Sequence, residues 1–157
     1  MRDRRSAYLR WMASVSAEVD IRATPAEIID VLADLPQYPS WSSVHKRASV
    51  ETRFPDGRPQ RGVMAVAAAG LTDEQILDYE WTDDGVSWSL VKSGQQKNQR
   101  GGYSISAGQG GTSHVRYDLT IDPAIPLPGI IVRQVMKKAV SAATEGLKKR
   151  VESLHSG

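Results

Sequence analysis

Residues 129–155 read GIIVRQVMKKAVSAATEGLKKRVESLH and decide the fold. Apolar residues recur along this stretch at steps of three and four: Val132, Val135, Met136, Ala139, Val140, Ala143, Leu147, Val151 and Leu154. This spacing predicts one long amphipathic helix with one face buried against a large apolar surface. The middle of that face consists of small residues, namely Ala139, Ala142, Ala143 and Gly146. Small residues either let a neighbouring surface come close or leave an empty volume, which would be a ligand cavity.

The surface that buries this helix must be a sheet formed by the chain before it. Alternating sequence between turn residues predicts strands at 44–54, 60–70, 74–81, 86–93, 99–107 and 113–121. The turns fall at "PDGRP", "TDDG", "KSGQQ" and "AGQGG". Because the connections are short and contain no crossover helix, neighbouring strands should pair antiparallel.

One more strand and a short helix precede this sheet. Residues 15–22 alternate between apolar and polar, as a half-buried strand does. Thr24, Pro25 and Glu27 then form the signature of a helix start, with a capping box between Thr24 and Glu27. The prolines of "PQYPSW" should end that helix in an irregular corner. A strand, a helical insertion, six strands and a long helix predict an α+β fold with a seven-stranded antiparallel sheet.

Composition narrows the classes of function. The chain has 157 residues, of which 40% are hydrophobic, and this size suits one domain with a real core. It has no cysteine, which excludes disulfides, thiolate nucleophiles and thiolate metal sites. No apolar run approaches the length needed to cross a bilayer, and the start "MRDRRSAYLRWM" lacks the apolar stretch of a secretion signal. We therefore expect a cytoplasmic protein.

The positive charge lies at the two ends of the chain. Residues 1–12 hold four arginines against one aspartate, and residues 126–157 hold six basic residues against two acidic ones. The remaining middle is acidic, with 10 basic residues against 15 acidic ones. Nucleic-acid binding needs basic residues gathered on one face with base-reading groups between them, and the sheet sequence shows no such pattern. We therefore expect no nucleic-acid partner.

The order of these elements resembles the helix-grip (SRPBCC) superfamily, which includes START lipid-transfer domains, the major birch pollen allergen and the bacterial polyketide cyclase/dehydrase family. The resemblance covers residues 14–155, through "VSAEVDIRATPAEIIDVLADLPQYPSW", "DYEW", "VSWSL", "TSHVRYDLTID" and the terminal helix. It implies a curved sheet wrapped around the long helix, with a hollow between them for an apolar or amphipathic molecule. Residues 13–157 should therefore be a single START-like ligand-binding domain, after a flexible basic leader at residues 1–12.

The leading hypothesis is noncatalytic binding or transport of a small hydrophobic ligand, lipid-like or polyketide-like. The residues expected near the cavity are Trp41, Met64, Val66, Tyr79, Trp81, Trp88, Tyr103, Tyr117, Leu119, Val132 and Met136. The alternative interpretation is that the same side chains simply fill the core. Trp41 stands in the irregular corner near one mouth, where it should act as a gate, as a membrane contact or as a hydrophobic plug.

The enzyme hypotheses find little support in the residues. The three histidines, His45, His114 and His155, are expected at the surface or in the terminal turn, without an assembled triad. Neither metal-ligand pairs nor a phosphate-binding glycine loop is visible, so the sequence predicts no catalytic residue, no metal and no cofactor. A polyketide aromatase/cyclase or dehydratase remains the alternative, because it needs only cavity shape and one or two acid/base groups.

Two further partners stay open at this point. The leader places Arg2, Arg4, Arg5 and Arg10 beside apolar side chains, a composition suited to transient contact with an anionic membrane surface. The sheet edge or the terminal helix could instead dock a protein partner, which would make the chain a regulatory interaction module.

Overall fold

A curved sheet of seven strands makes up most of residues 13–155, the part of the chain that the computed structural model describes. The strands are β1 (Ala13–Ile21), β2 (His45–Arg53), β3 (Pro59–Ala68), β4 (Leu71–Thr82), β5 (Gly85–Ser93), β6 (Gln96–Ala107) and β7 (Ser113–Pro123). All pairs are antiparallel, in the order β1-β7-β6-β5-β4-β3-β2. The strands β2 to β7 thus form the predicted meander, and β1 closes one edge by pairing with β7.

The turn between β3 and β4 departs from the prediction. The sequence predicted a strand through residue 70, but β3 ends at Ala68 and β4 already begins at Leu71. Ala69 and Gly70 make the connection with φ angles of 51° and 80°. Two residues with positive φ match the twist of a hairpin, and such turns usually carry asparagine or glycine first. An alanine in that position gave no turn signal, so the apolar run concealed the hairpin.

The helices surround one end of the sheet and cross its concave face. They are α1 (Pro25–Ala33), α2 (Tyr38–Trp41), α3 (Gly129–Ser141) and α4 (Leu147–His155), with a 3-10 turn at Leu35–Gln37 and a π-helical turn at Ala142–Gly146. The segments α3, the π turn and α4 follow one another without a break and together form the C-terminal helix. The α+β helix-grip architecture predicted from the sequence is confirmed.

The start of α1 follows from its capping box. The hydroxyl of Thr24 accepts a hydrogen bond from the Glu27 amide at 3.2 Å, and the Glu27 carboxylate accepts one from the Thr24 amide at 2.9 Å. The helix then buries Ile28, Ile29 and Leu32 completely or nearly so. Local capping and the apolar stripe agree, which explains why this element was predictable.

The corner after α1 is more regular than expected. Each proline of "PQYPSW" stands in the first turn of a short helical piece, where its missing amide hydrogen costs nothing. Tyr38 is buried there and donates from its hydroxyl to the Leu32 carbonyl at 2.6 Å. This bond ties the corner back to the end of α1.

The small residues of the C-terminal helix serve both purposes considered from the sequence. At Gly146 the helix comes so close to the corner that an added Cβ would lie 2.7 Å from the Trp41 carbonyl oxygen. Ala139, Ala142 and Ala143 instead face an open volume above the sheet. The helix therefore contacts the corner at Gly146 and is separated from the sheet by the open volume at Ala139, Ala142 and Ala143.

A second glycine shapes the sheet beneath that volume. The ring of Trp88 in β5 lies over Gly101 in β6, and an added Cβ at Gly101 would be 2.4 Å from Trp88 Cζ2. Because no real Cβ approaches a ring this closely, only glycine lets the indole lie flat against its neighbouring strand. The position of Trp88 depends on this glycine.

Removal of the capping box should destabilise the fold by a modest and local effect. We expect Thr24→Ala to lower the free energy of unfolding by about 1 kcal/mol, because the Glu27 amide loses its partner at the helix start. Urea unfolding followed by circular dichroism measures this. Thr112→Ala, in the turn before β7, is the control and should stay within about 0.5 kcal/mol of the unchanged protein. Equal stability of the two variants would contradict the prediction.

Substitution at Gly101 should have a larger effect. Gly101→Ala forces the Trp88 ring out of its place, and we expect a loss of about 1–3 kcal/mol in unfolding free energy. The matched control is Gly94→Ala, where the nearest heavy atom to the new Cβ would be Asp73 Oδ1 at an ordinary 3.6 Å. Urea unfolding of both variants, together with the indole N–H signals in NMR, checks the result. An unshifted Trp88 signal in Gly101→Ala would contradict it.

Candidate functional site

A cavity of about 140 Å³ lies between the C-terminal helix and the concave face of the sheet. The helix contributes Val135, Ala139, Ala142 and Ala143 to its wall. Strands β3 to β7 contribute the opposite wall, and the corner between α1 and β2 closes one side. The gap considered from the small residues of the helix is therefore present.

Eight of the side chains expected near the cavity lie on its wall: Trp41, Met64, Val66, Tyr79, Trp88, Tyr103, Tyr117 and Leu119. The residues on β4 to β7 were predicted because these strands alternate, so that one parity faces the helix. Their contact with a ligand stays a prediction.

The other three, Trp81, Val132 and Met136, do not line this cavity, and their contact with a ligand also stays a prediction. Trp81 has the inward parity, but its Nε1 donates to the Pro59 carbonyl at 2.7 Å and its ring stacks beside Tyr79, near the end of β4. Val132 and Met136 are buried in the core.

The sequence missed several polar residues of the wall. Gln75 and Gln99 share the parity of the inward aromatics on their strands, and this period-two signal could have identified them. The expectation for His45 was wrong: it lies on the cavity wall, not at the surface. A register shift between His45 and Arg47 reverses the inward parity at the start of β2. His114, by contrast, is exposed as predicted and bonds Glu18 and Asp20.

Four aromatic rings form the sheet side of the cavity. Trp88 is central, with its ring centroid 6.2 Å from that of Tyr79, 6.0 Å from that of Tyr103 and 6.2 Å from that of Tyr117. Tyr103 and Tyr117 are 5.1 Å apart. All of these pairs are tilted, the arrangement that aromatic quadrupoles favour. The result is a rigid wall that is apolar over most of its area.

The hydroxyls of Tyr79 and Tyr103 on the cavity wall have partners within the protein. Tyr103 donates to the carbonyl of Ala143 in the π turn at 2.9 Å, and Tyr79 points to the Met64 sulfur at 3.8 Å. Burial raises the pKa of Tyr79, Tyr103 and Tyr117 above the usual value for a phenol. These hydroxyls are therefore protonated at neutral pH and are poor acids.

A serine and a histidine form a hydrogen-bonded pair on the corner side of the cavity. Ser42 is buried, and its Oγ lies 2.6 Å from His45 Nδ1. The imidazole also packs edge-on against Tyr38, with centroids 5.1 Å apart. Burial lowers the pKa of His45 to about 4, so the ring is neutral at pH 7. With His45 neutral, no described residue on the wall carries a charge.

Trp41 adds an unused hydrogen-bond donor to this corner. Within residues 13–155, its Nε1 is buried and has no hydrogen-bond partner. Leaving a buried donor unpaired costs roughly 1–3 kcal/mol. Gly146 of the helix packs against the same residue, closest to its backbone carbonyl.

Across residues 13–155 no three or more His, Asp or Glu side chains come together in a group that could hold a metal ion. No helix in that range is long and apolar enough to cross a membrane. The leader at residues 1–12, for which flexibility and membrane contact were predicted, lies outside the described residues.

The buried imidazole should make stability depend on pH. The pKa of His45 falls from 6.5 to about 4 on folding, so the unfolded chain holds this proton more tightly and stability decreases as the pH falls from 6.5 towards 4. His45→Asn can keep the bond to Ser42 without a titrating ring. We expect the variant to lose less stability between pH 7 and pH 4.5, by on the order of 2 kcal/mol, in urea unfolding.

A control of opposite sign is available at the surface. Hydrogen bonds to Glu18 and Asp20 raise the pKa of His114, so its contribution is present at low pH and is lost as the pH rises. His114→Asn should therefore lose more stability on acidification than the unchanged protein does. Parallel acid profiles for His45→Asn and the unchanged protein would contradict the assignment of His45.

Comparison with known folds agrees with this architecture. A START superfamily protein from Mycobacterium smegmatis is 23% identical, with 90% of this chain and 98% of that chain covered and a TM-score of 0.81. The Zhui aromatase/cyclase from Streptomyces sp. R1128 is 11% identical, with 90% and 94% covered and a TM-score of 0.77. A protein from Thermus thermophilus is 20% identical, with 91% and 99% covered and a TM-score of 0.78. At these identities the likeness shows the fold.

The sequence itself supplies the family. No curated protein matches the chain at a significant level. A family model described as "Polyketide cyclase / dehydrase and lipid transport" matches residues 12–152, which is nearly the whole chain. The chain therefore belongs to the polyketide cyclase/dehydrase and lipid transport family.

Proposed function

We propose that the protein binds or carries a small hydrophobic molecule in the cavity between sheet and C-terminal helix, without chemical change to that molecule. The observation that carries this proposal is an apolar, aromatic-lined volume of about 140 Å³ with a few oriented polar groups. Its family includes both carriers and cyclases by description, so family membership alone does not choose between them.

The size of the cavity limits its occupant. An engineered protein cavity of about 150 Å³ binds benzene, so this volume suits one ring system or one branch of a larger molecule. Trp88 and the surrounding tyrosines present tilted rings, which favour a planar guest over a flexible alkyl chain. A ring-containing ligand is thus the best match to this conformation.

Catalysis is the second candidate, and the Ser42–His45 pair is the observation in its favour. Aromatisation or dehydration needs an acid and a base whose pKa values lie near the working pH. Burial lowers the pKa of His45 to about 4 and raises those of Tyr79 and Tyr103, so none of them is suited to proton transfer at pH 7. This favours binding over chemistry.

Further statements about partners and location stay predictions from the sequence. These are a cytoplasmic location, contact of residues 1–12 with an anionic membrane, and docking of a protein partner. Their tests are separate from that of the cavity, because none of them needs the cavity to be occupied.

Filling the cavity should abolish ligand retention. Protein purified from its own cells should show an added small-molecule mass in native mass spectrometry, and Ala143→Leu should lose that mass because the new side chain enters the cavity. Ser141→Leu adds the same side chain at an exposed position of α3 and should keep it. Thermal unfolding of both variants verifies that they are folded.

The same material separates the two candidate functions. A released compound that is unchanged after incubation with fresh protein supports binding, whereas loss of water or a new ring in the product supports the cyclase. A bare polypeptide mass for the unchanged protein, or equal retention by Ala143→Leu and Ser141→Leu, would contradict the proposal.

A further inference from the structure

Three glutamines lie on the cavity wall among the aromatic side chains: Gln75, Gln96 and Gln99. Gln75 is 5% exposed and Gln99 is 7% exposed, so their amides must find partners inside the protein or in the cavity. We call these three residues the amide anchor. The partners of each amide determine which end of it remains available.

Trp88 fixes the orientation of Gln99 and, through it, of Gln96. An indole N–H only donates, so the oxygen of Gln99 must face Trp88 Nε1, at 2.9 Å. The Gln99 nitrogen then donates to the Gln96 oxygen at 3.1 Å. Both oxygens are thereby engaged, and no residue within 13–155 pairs with the Nε2 group of Gln96, which is the free end of this chain. It is a neutral hydrogen-bond donor.

Asp73 fixes Gln75 in the opposite sense. A carboxylate only accepts, so the nitrogen of Gln75 must face Asp73, where Nε2 lies 3.1 Å from Oδ2. The Oε1 atom of Gln75 is left outside this bond as a neutral acceptor. Asp73 itself is held by the Ser93 hydroxyl at 2.5 Å and by the amides of Gly94 and Gln95 at 3.0 and 3.2 Å.

The free donor, Gln96 Nε2, and the free acceptor, Gln75 Oε1, belong to residues that are both linked to the turn between β5 and β6. Ser93 Oγ donates to Asp73 and accepts a hydrogen bond from the backbone N–H of Gln96 at 3.0 Å. The β5–β6 turn, residues 93–96, therefore positions Gln96 directly and Gln75 through Asp73. No described residue on the cavity wall is charged, so an ionised ligand group would be left without a counter-charge there.

We propose that the amide anchor selects an uncharged ring compound that presents both a hydrogen-bond acceptor and a hydrogen-bond donor, as a carboxamide or an enolised diketone does. The acceptor of the ligand meets Gln96 Nε2 and the donor meets Gln75 Oε1. This proposal rests on the proposed binding function and specifies its ligand class. It predicts discrimination against carboxylates, because a carboxylate lacks the donor and carries an uncompensated charge.

The test uses three probes that share a benzene ring: toluene, benzamide and benzoate. Affinities for the purified full chain are measured by NMR titration of the backbone and indole N–H signals at pH 7.5. We expect benzamide to bind about fivefold more tightly than toluene, as the net value of hydrogen bonds in a protein predicts. Benzoate, which has the shape of benzamide, should bind at least about tenfold more weakly than benzamide.

Variants assign the preference to the anchor. Gln75→Leu and Gln96→Leu each remove one polar end, and each should reduce the ratio of benzamide to toluene affinity about fivefold while toluene still binds. Gln95→Leu is the matched control on the same turn, because its side chain is exposed and off the cavity wall. It should keep the ratio of the unchanged protein.

Failure of this proposal is distinct from failure of the proposed function. The amide anchor does not select the ligand if toluene binds and benzamide binds no more tightly. The same follows if the ratio of benzamide to toluene affinity is unchanged in both anchor variants. In either case the apolar cavity still binds a ligand, and the proposed function stands. If benzoate binds as well as benzamide, the neutral-ligand rule is wrong. If no probe binds, the binding function itself is contradicted.

Discussion

The separation between the C-terminal helix and the sheet is the constraint on which the structure depends. Large aromatic side chains of the sheet face small side chains of the helix, mainly alanines, across the cavity. The Tyr103 hydroxyl spans this distance and donates a hydrogen bond to the Ala143 carbonyl at 2.9 Å. Tyr103 therefore sets the distance between helix and sheet, because a shorter distance would break its hydrogen bond or displace its ring. One turn further on, Gly146 lets the helix touch the Trp41 backbone. The contact at Gly146 and the hydrogen bond of Tyr103 together keep the cavity between helix and sheet open.

Most of the fold was predictable because local signals agreed with one another. The capping box at Thr24, the alternation in most strands and the helical stripe after Gly129 each specify their element without tertiary information. The hairpin at Ala69 and Gly70 was missed, since a positive φ at alanine is decided by sheet twist and leaves no mark in the sequence. The two short helical pieces of the corner depend on the bond from Tyr38 to Leu32, which the sequence does not reveal.

The candidate site was predictable only for its apolar part. Parity found the large side chains, but it assigned His45 to the surface because a bulge at the start of β2 cannot be read from residue types. The glutamines were passed over since a polar residue of inward parity has no evident reason to be buried. Their partners are set by strand register: Trp88 lies 11 positions before Gln99, and Ser93 lies 20 positions after Asp73. The polar specification of the cavity is therefore a tertiary property.

The π-helical turn at residues 142–146 has a consequence for how the cavity of this protein could change. A π turn accommodates one residue more than an α turn, while the helical segments on either side remain in line. The insertion or deletion of a single residue there would thus redirect the carbonyl that receives Tyr103 and reshape the roof of the cavity. The buried contacts of Leu147 and Val151 would be left where they are. A change of one residue in this turn could then alter which ligand the cavity prefers, while the sheet and the rest of the helix keep their packing.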